Sequence, residues 1–66
     1  MLGDELRKSR LKAGLTQEAL AFQADISRNY VSLLEQNQKS PTVQTLLRIC
    51  KALGIRASSL IARIER

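Results

Sequence analysis

The 66-residue chain contains no His, no Trp, a single Cys, a single Pro, three Gly and an aromatic content of 3%. Each shortage closes off a class of function. Without His there is no triad and no imidazole general base, and a chain this short hardly encloses the concave pocket that catalysis needs, so no enzyme is expected. One Cys makes no internal disulfide, and one Cys without His cannot supply the three or four ligands of a zinc site, so no metal or cofactor is expected either. No apolar run approaches the roughly eighteen residues of a membrane span, and the acidic start Met1-Leu2-Gly3-Asp4-Glu5 is unlike a signal peptide. A cytoplasmic protein without a membrane role is the expectation.

What is present is a basic balance, 11 Lys+Arg against 6 Asp+Glu for a formal charge of +5. That favours an acidic partner, with nucleic acid ahead of an anionic membrane surface. A domain of this size buries only roughly 60% of its unfolded surface, so a single small core over residues 1–66 is expected.

Between a few punctuating residues the chain is rich in Leu, Ala, Arg, Lys, Gln and Glu, all strong helix formers, which predicts an all-α domain. The first helix is expected from Gly3 or Asp4 to Ala13, with Leu2, Leu6, Ser9, Arg10 and Ala13 on one stripe. Gly14 and Gly54 each follow an apolar-periodic segment, where a left-handed residue ends a helix. The second helix is expected after the capping Thr16, ending near Gln23 or Ala24 with Leu20, Ala21 and Ala24 inward. The third is capped by Ser27, carries Val31 and Leu34 inward and ends around Gln36. Only about three residues separate these two helices, which forces a steep crossing of the helix-turn-helix kind over residues 16–36.

A loop, Asn37-Gln38-Lys39-Ser40-Pro41, follows, with Asn37 suited to a left-handed position. The fourth helix, capped by Thr42 and running to Leu53, carries a complete core stripe in Leu46, Ile49, Cys50 and Leu53. Cys50 reads there as a small buried hydrophobe. A fifth helix from Ala57 to Glu65 places Leu60, Ile61 and Ile64 on one side. The fold class is a compact five-helix bundle. Phe22 falls off the inward face of the second helix, and the sequence leaves open whether it covers an edge or is exposed.

Leu6, Arg10, Gly14-Leu15-Thr16-Gln17, Leu20-Ala21, Tyr30-Val31-Ser32, Leu34-Glu35, Pro41, Thr45-Leu46, Ile49 and Ala52-Leu53-Gly54-Ile55 together resemble the phage-repressor-like helix-turn-helix family of Cro, lambda repressor and Xre regulators. The resemblance spans residues 2 to about 61. It implies a sequence-specific transcriptional regulator whose third helix enters the major groove, with its N-terminal residues at base edges. Two departures stand out: Ala24-Asp25-Ile26 occupies the turn that usually carries Gly, and Gln36-Asn37 replaces the loop Gly. Asp tolerates the left-handed region better than most residues.

On that resemblance Ser27, Arg28, Asn29, Ser32 and Leu33 form the outer face of the recognition helix. Arg28 suits guanine and Asn29 adenine, each pairing being worth ~1–3 kcal/mol of discrimination. Leu33 either packs on a thymine methyl or is an ordinary surface leucine. Gln17 matches a position that touches phosphate or supports the recognition helix, against the plain reading of a solvated glutamine. Lys39, Ser40, Thr42 and Gln44 match backbone-contacting positions, and Tyr30 either joins them through its hydroxyl or packs at the core edge. Arg10 and Glu35 match an ion pair joining the first and third helices. Arg10 lies on an apolar stripe and so needs a partner.

One recognition helix reads few base pairs, so a palindromic double-stranded DNA operator bound by a homodimer is expected, without a small-molecule effector. Leu47, Leu60, Ile61 and Ile64 form the candidate interface, with Val43 beside them, on a two-fold axis. The alternative is a protein-interaction module on the same fold, such as an antitoxin. A membrane-surface protein ranks below both, because one core consumes the apolar faces.

Overall fold

The computed structural model describes residues 1–65. Five helices follow one another without a strand among the described residues: α1 Leu2–Lys12, α2 Gln17–Ala24, α3 Arg28–Glu35, α4 Val43–Leu53 and α5 Ala57–Ile64. Three of them begin where a hydroxyl is available to cap. Thr16 accepts from the Ala19 N–H at 3.0 Å, Ser27 from Tyr30 at 3.0 Å and Thr42 from Thr45 at 3.1 Å, each satisfying a donor of the first turn.

The first four helices end alike. Gly14, Asp25, Asn37 and Gly54 all adopt positive φ, at 74, 59, 61 and 71°. In each case the following residue donates its N–H five residues back: Leu15 to Arg10, Ile26 to Ala21, Gln38 to Leu33 and Ile55 to Cys50. This is the Schellman arrangement, which reverses the chain within two residues and satisfies the last carbonyls of the helix. Glycine fills two of the four left-handed positions, and Asp25 and Asn37 fill those flanking α3. The turn between α2 and α3 therefore forms without glycine.

Leu6, Leu20, Ala21, Ala24, Val31, Leu34, Ile49, Cys50, Leu53 and Leu60 form one buried core, drawn from every helix. α3 packs between α1 and α2, α4 lies against α2, and α5 closes the bundle against α1 and α4. The inward stripes of α2, α3 and α4 are those the sequence predicts, except that Leu46 is only partly buried.

Several expectations require correction. α1 starts at Leu2, ahead of Gly3, and Ala13 is exposed because the helix stops at Lys12 and the chain turns away at Gly14. α3 is bounded by Ser27 and Gln36 as caps, and α5 ends at Ile64. Leu60 is 0% exposed, filling the core between α5 and its neighbours, and it is inaccessible to any partner. Phe22, which the sequence left undecided, is 88% exposed on the outer side of α2.

Candidate nucleic-acid interface

α3 is a short helix with two chemically distinct faces. Val31 and Leu34 are each 2% exposed, which fixes the rotation of the helix and turns Arg28 and Asn29 outward, both exposed in the first turn beside the exposed cap Ser27. Ser32 and Leu33 are half-buried, because α1 and α2 cover α3 from two sides and leave a narrow outer strip. Leu33 is thus less accessible than the alternation of the sequence suggests. Tyr30 is half-buried and packs against the core, in line with its core-edge reading.

The hydrogen bonds on this face define which polar atoms remain to meet a ligand. The Ser27 oxygen accepts from the Tyr30 amide, which leaves its O–H and a second lone pair to meet a ligand. Gln36 Nε2 donates to Ser32 Oγ at 2.8 Å, which likewise leaves Ser32 its O–H. Thr42 both accepts from the Thr45 amide and donates to Thr45 Oγ1 at 3.0 Å, so its hydroxyl serves the start of α4. Lys39 and Ser40 stand exposed on the loop between α3 and α4, and Gln44 is exposed in the first turn of α4.

Behind the face lies a buried polar network. Arg10 Nε donates to Glu35 Oε2 at 2.7 Å and Arg10 Nη2 to Glu35 Oε1 at 3.1 Å, a two-pronged pairing of side chains that are 9% and 4% exposed. Arg10 Nη1 donates to the Leu15 carbonyl at 2.8 Å, and Gln17 Nε2 donates to Glu35 Oε1 at 3.2 Å. α1, the first turn of α2 and the last residue of α3 are thereby joined at one carboxylate. Among the described residues no buried side-chain polar atom lacks a hydrogen bond. Gln17 thus holds the last residue of α3 through its bond to Glu35. An exposed glutamine is not what the structure contains.

Outside α3, on α4 and α5, Leu47 and Ile61 are 53% and 41% exposed, Ile64 is half-buried and Val43 is exposed. Of the four residues expected at a dimer interface, Leu60 is excluded by its burial and three remain.

A helix-turn-helix family model matches residues 6–60, most of the chain, including Arg10, Gln17 and the whole of α2, α3 and α4. The chain belongs to the helix-turn-helix family. Within the family it is of the Cro/C1 type, a class of DNA-binding regulators of transcription. It is 34% identical over 62 residues to the control protein C.BamHI of Bacillus amyloliquefaciens, covering 92% of this chain and 76% of that one. It is 37% identical over 65 residues to the control protein C.MunI of a Mycoplasma species, covering 97% and 88%. The restriction-modification controller protein C.AhdI from Aeromonas hydrophila superposes with a TM-score of 0.87 at 36% identity, over 89% of each chain. No helix among the described residues of this helix-turn-helix protein is long and apolar enough to cross a membrane.

Two residues that hold α1 to its neighbouring helices carry no signal in the sequence. Gly3 is buried, and its N–H donates to Asn37 Oδ1 at 2.9 Å. A Cβ at Gly3 would lie 2.6 Å from the carbonyl oxygens of both Leu34 and Glu35, so α1 reaches the end of α3 only because residue 3 has no side chain. A glycine in the first turn of a helix leaves no periodic mark. Arg63 is the second. Its guanidinium lies 3.9 Å from Glu5 and 3.4 Å from Ser9 Oγ, linking α5 back to α1.

Proposed function

We propose that this chain regulates transcription by binding a palindromic operator as a homodimer, with α3 in the major groove. The observation that carries the reading is the first turn of α3, where Arg28 and Asn29 stand outward from a helix whose rotation is fixed by Val31 and Leu34. Arg28 reads guanine through paired donors and Asn29 reads adenine through its amide. The Ser27 and Ser32 hydroxyls donate toward phosphate or base acceptors through the O–H that neither of their bonds within the helix uses. Leu33, half-buried, offers its outer methyl to a thymine. Lys39 and Ser40 contact the DNA backbone from the loop, Gln44 joins them, and Thr42 shapes the start of α4. Gln17 and Arg10 act behind the interface through Glu35.

Size supports the dimer. The longest dimension of the unit is 29 Å, whereas recognition helices in successive major grooves stand ~34 Å apart on one face of DNA. One copy therefore places one α3, and a second copy is required to read a two-fold site. Leu47, Ile61 and Ile64 supply the apolar contact between copies. The identity of the relatives as control proteins favours regulation of a restriction-modification system over other operons.

Selection of bound duplexes from random DNA tests the reading. The expected outcome is a two-fold symmetric consensus with half-site centres about 10 base pairs apart. Recovery of duplexes without a shared sequence, at physiological salt, refutes it.

A further inference from the structure

The four Schellman turns differ in one respect. After Gly14, Asp25 and Gly54 the next residue is Leu15, Ile26 or Ile55, each partly buried and packed against the core, so an apolar side chain pins the turn to the body of the protein. After Asn37 the next residue is Gln38, which is exposed. The turn that ends α3 lacks the apolar anchor that the other three possess.

In its place stands a polar one. Asn37 Oδ1 accepts from the Gly3 N–H at 2.9 Å. That N–H lies in the first turn of α1, where helix amides have no partner of their own, and no side chain caps it from within α1. The absent Cβ of Gly3 lets the helix approach to this distance, since a methyl there would sit 2.8 Å from the same Oδ1. Asn37 thus does two things glycine cannot combine: it adopts φ 61° and it ties the turn to α1.

We infer that Asn37 is a positioning residue for DNA-backbone contact, holding the segment of Lys39 and Ser40 in register with α3 through its bond to Gly3. The inference rests on the DNA-binding reading above. Asn37 precedes Lys39 by two residues, and the exposed stretch Gln38 to Ser40 has no buried side chain of its own to hold it. The direction in which Lys39 leaves the body is therefore set at Asn37. The chemistry separates the two tasks, because a substitution to glycine keeps the left-handed turn and removes only the tie.

The test is Asn37→Gly, measured against the parent on the selected duplex. Three quantities are read: melting temperature, hydrogen exchange at the Gly3 amide, and affinity as a function of salt. The melting temperature should fall by no more than about 12 °C, since glycine takes the turn without strain and a single hydrogen bond is lost. Gly3 exchange should accelerate. Affinity should fall for specific and non-specific DNA alike, and the slope of log K against log salt should flatten by about 0.9 for each phosphate that is no longer neutralised. Between 50 and 200 mM salt, one phosphate fewer would reduce the drop in affinity by about 3.5-fold. Faster Gly3 exchange with unchanged affinity and slope overturns the inference, as does a Gly3 amide that exchanges freely in the parent. A parent that binds no selected duplex at all refutes the DNA-binding reading itself, a different result from an Asn37→Gly variant that matches a binding parent.

Discussion

Replacing Glu35 by Ala should come close to unfolding this protein. The substitution removes the carboxylate that receives two bonds from Arg10 and one from Gln17, and leaves a guanidinium that is 9% exposed with the Leu15 carbonyl as its remaining acceptor. Removing one partner of a buried ion pair costs about 3–5 kcal/mol. At roughly 0.05–0.15 kcal/mol per residue the whole domain has about 3–10 kcal/mol of stability, so the loss is comparable to the total. With each kcal/mol worth about 4–8 °C in a domain of this size, the melting temperature should fall by about 12–40 °C.

Thermal unfolding followed by circular dichroism measures it, together with Arg10→Met, Glu35→Leu and the double variant. The double variant should recover much of the stability, because two apolar side chains of similar volume carry no desolvation penalty. Its DNA affinity should not recover with it, since the bonds that fix the end of α3 to α1 and α2 are gone. A Glu35→Ala melting temperature within about 3 °C of the parent would refute the reasoning. So would a double variant no more stable than the sum of the singles predicts.

The site makes separable predictions. Arg28→Ala should weaken operator binding by ~1–3 kcal/mol at a single base position, read by competition against operators altered one pair at a time. Lys39→Ala should weaken all sequences alike and flatten the salt slope by about 0.9 per phosphate, and an effect confined to one base pair would reassign it. Leu47→Glu should shift the protein from dimer to monomer in sedimentation at micromolar concentration while leaving the melting temperature of the monomer little changed, because Leu47 lies outside the core. Burial holds the Cys50 thiol above its ordinary value of 9.0. The native state then binds a proton that the unfolded chain has released, so this contribution to stability is complete below pH 9 and is lost as pH rises beyond it. Denaturant titrations at pH 8 and pH 10 should differ in that direction, and labelling of Cys50 by a thiol reagent at neutral pH should follow unfolding rather than precede it.

The helices and most of the core were legible because their signals are local and periodic. Val31 with Leu34, and Ile49 with Cys50 and Leu53, fall inward on spacing alone, and Thr16, Ser27 and Thr42 are caps on chemistry alone. The Arg10–Glu35 pair was legible by a different route: a charge on an apolar stripe demands a partner, and the family resemblance names it. What stayed hidden depends on distance across the fold. Leu60 has the same side chain whether it closes the core or meets a partner, and only the approach of α5 to α1 and α4 decides. Gly3 looks like an indifferent residue near the N-terminus, because the carbonyls it accommodates are more than thirty residues away. Leu33 reads as exposed because period alone does not reveal that two helices flank α3.

The fold separates what holds α3 from what α3 presents. Val31, Leu34 and Glu35 are buried and bind the helix to the core and to Arg10, whereas Arg28 and Asn29 are exposed and make no intramolecular bond through their side chains among the described residues. Substitution at the two exposed positions therefore changes stability by little, typically within about 0.5 kcal/mol for a surface site. On the proposed function, the same substitution should alter base recognition by several times that amount. If α3 reads DNA as proposed, such a fold can change its operator without rebuilding its core, because folding and discrimination would then rest on different residues of one eight-residue helix. The hydroxyls of Ser27 and Ser32 are the exceptions, tied at once to the helix and to the outer face. Replacing Ser27 should lower stability and affinity together, where replacing Asn29 should lower affinity alone.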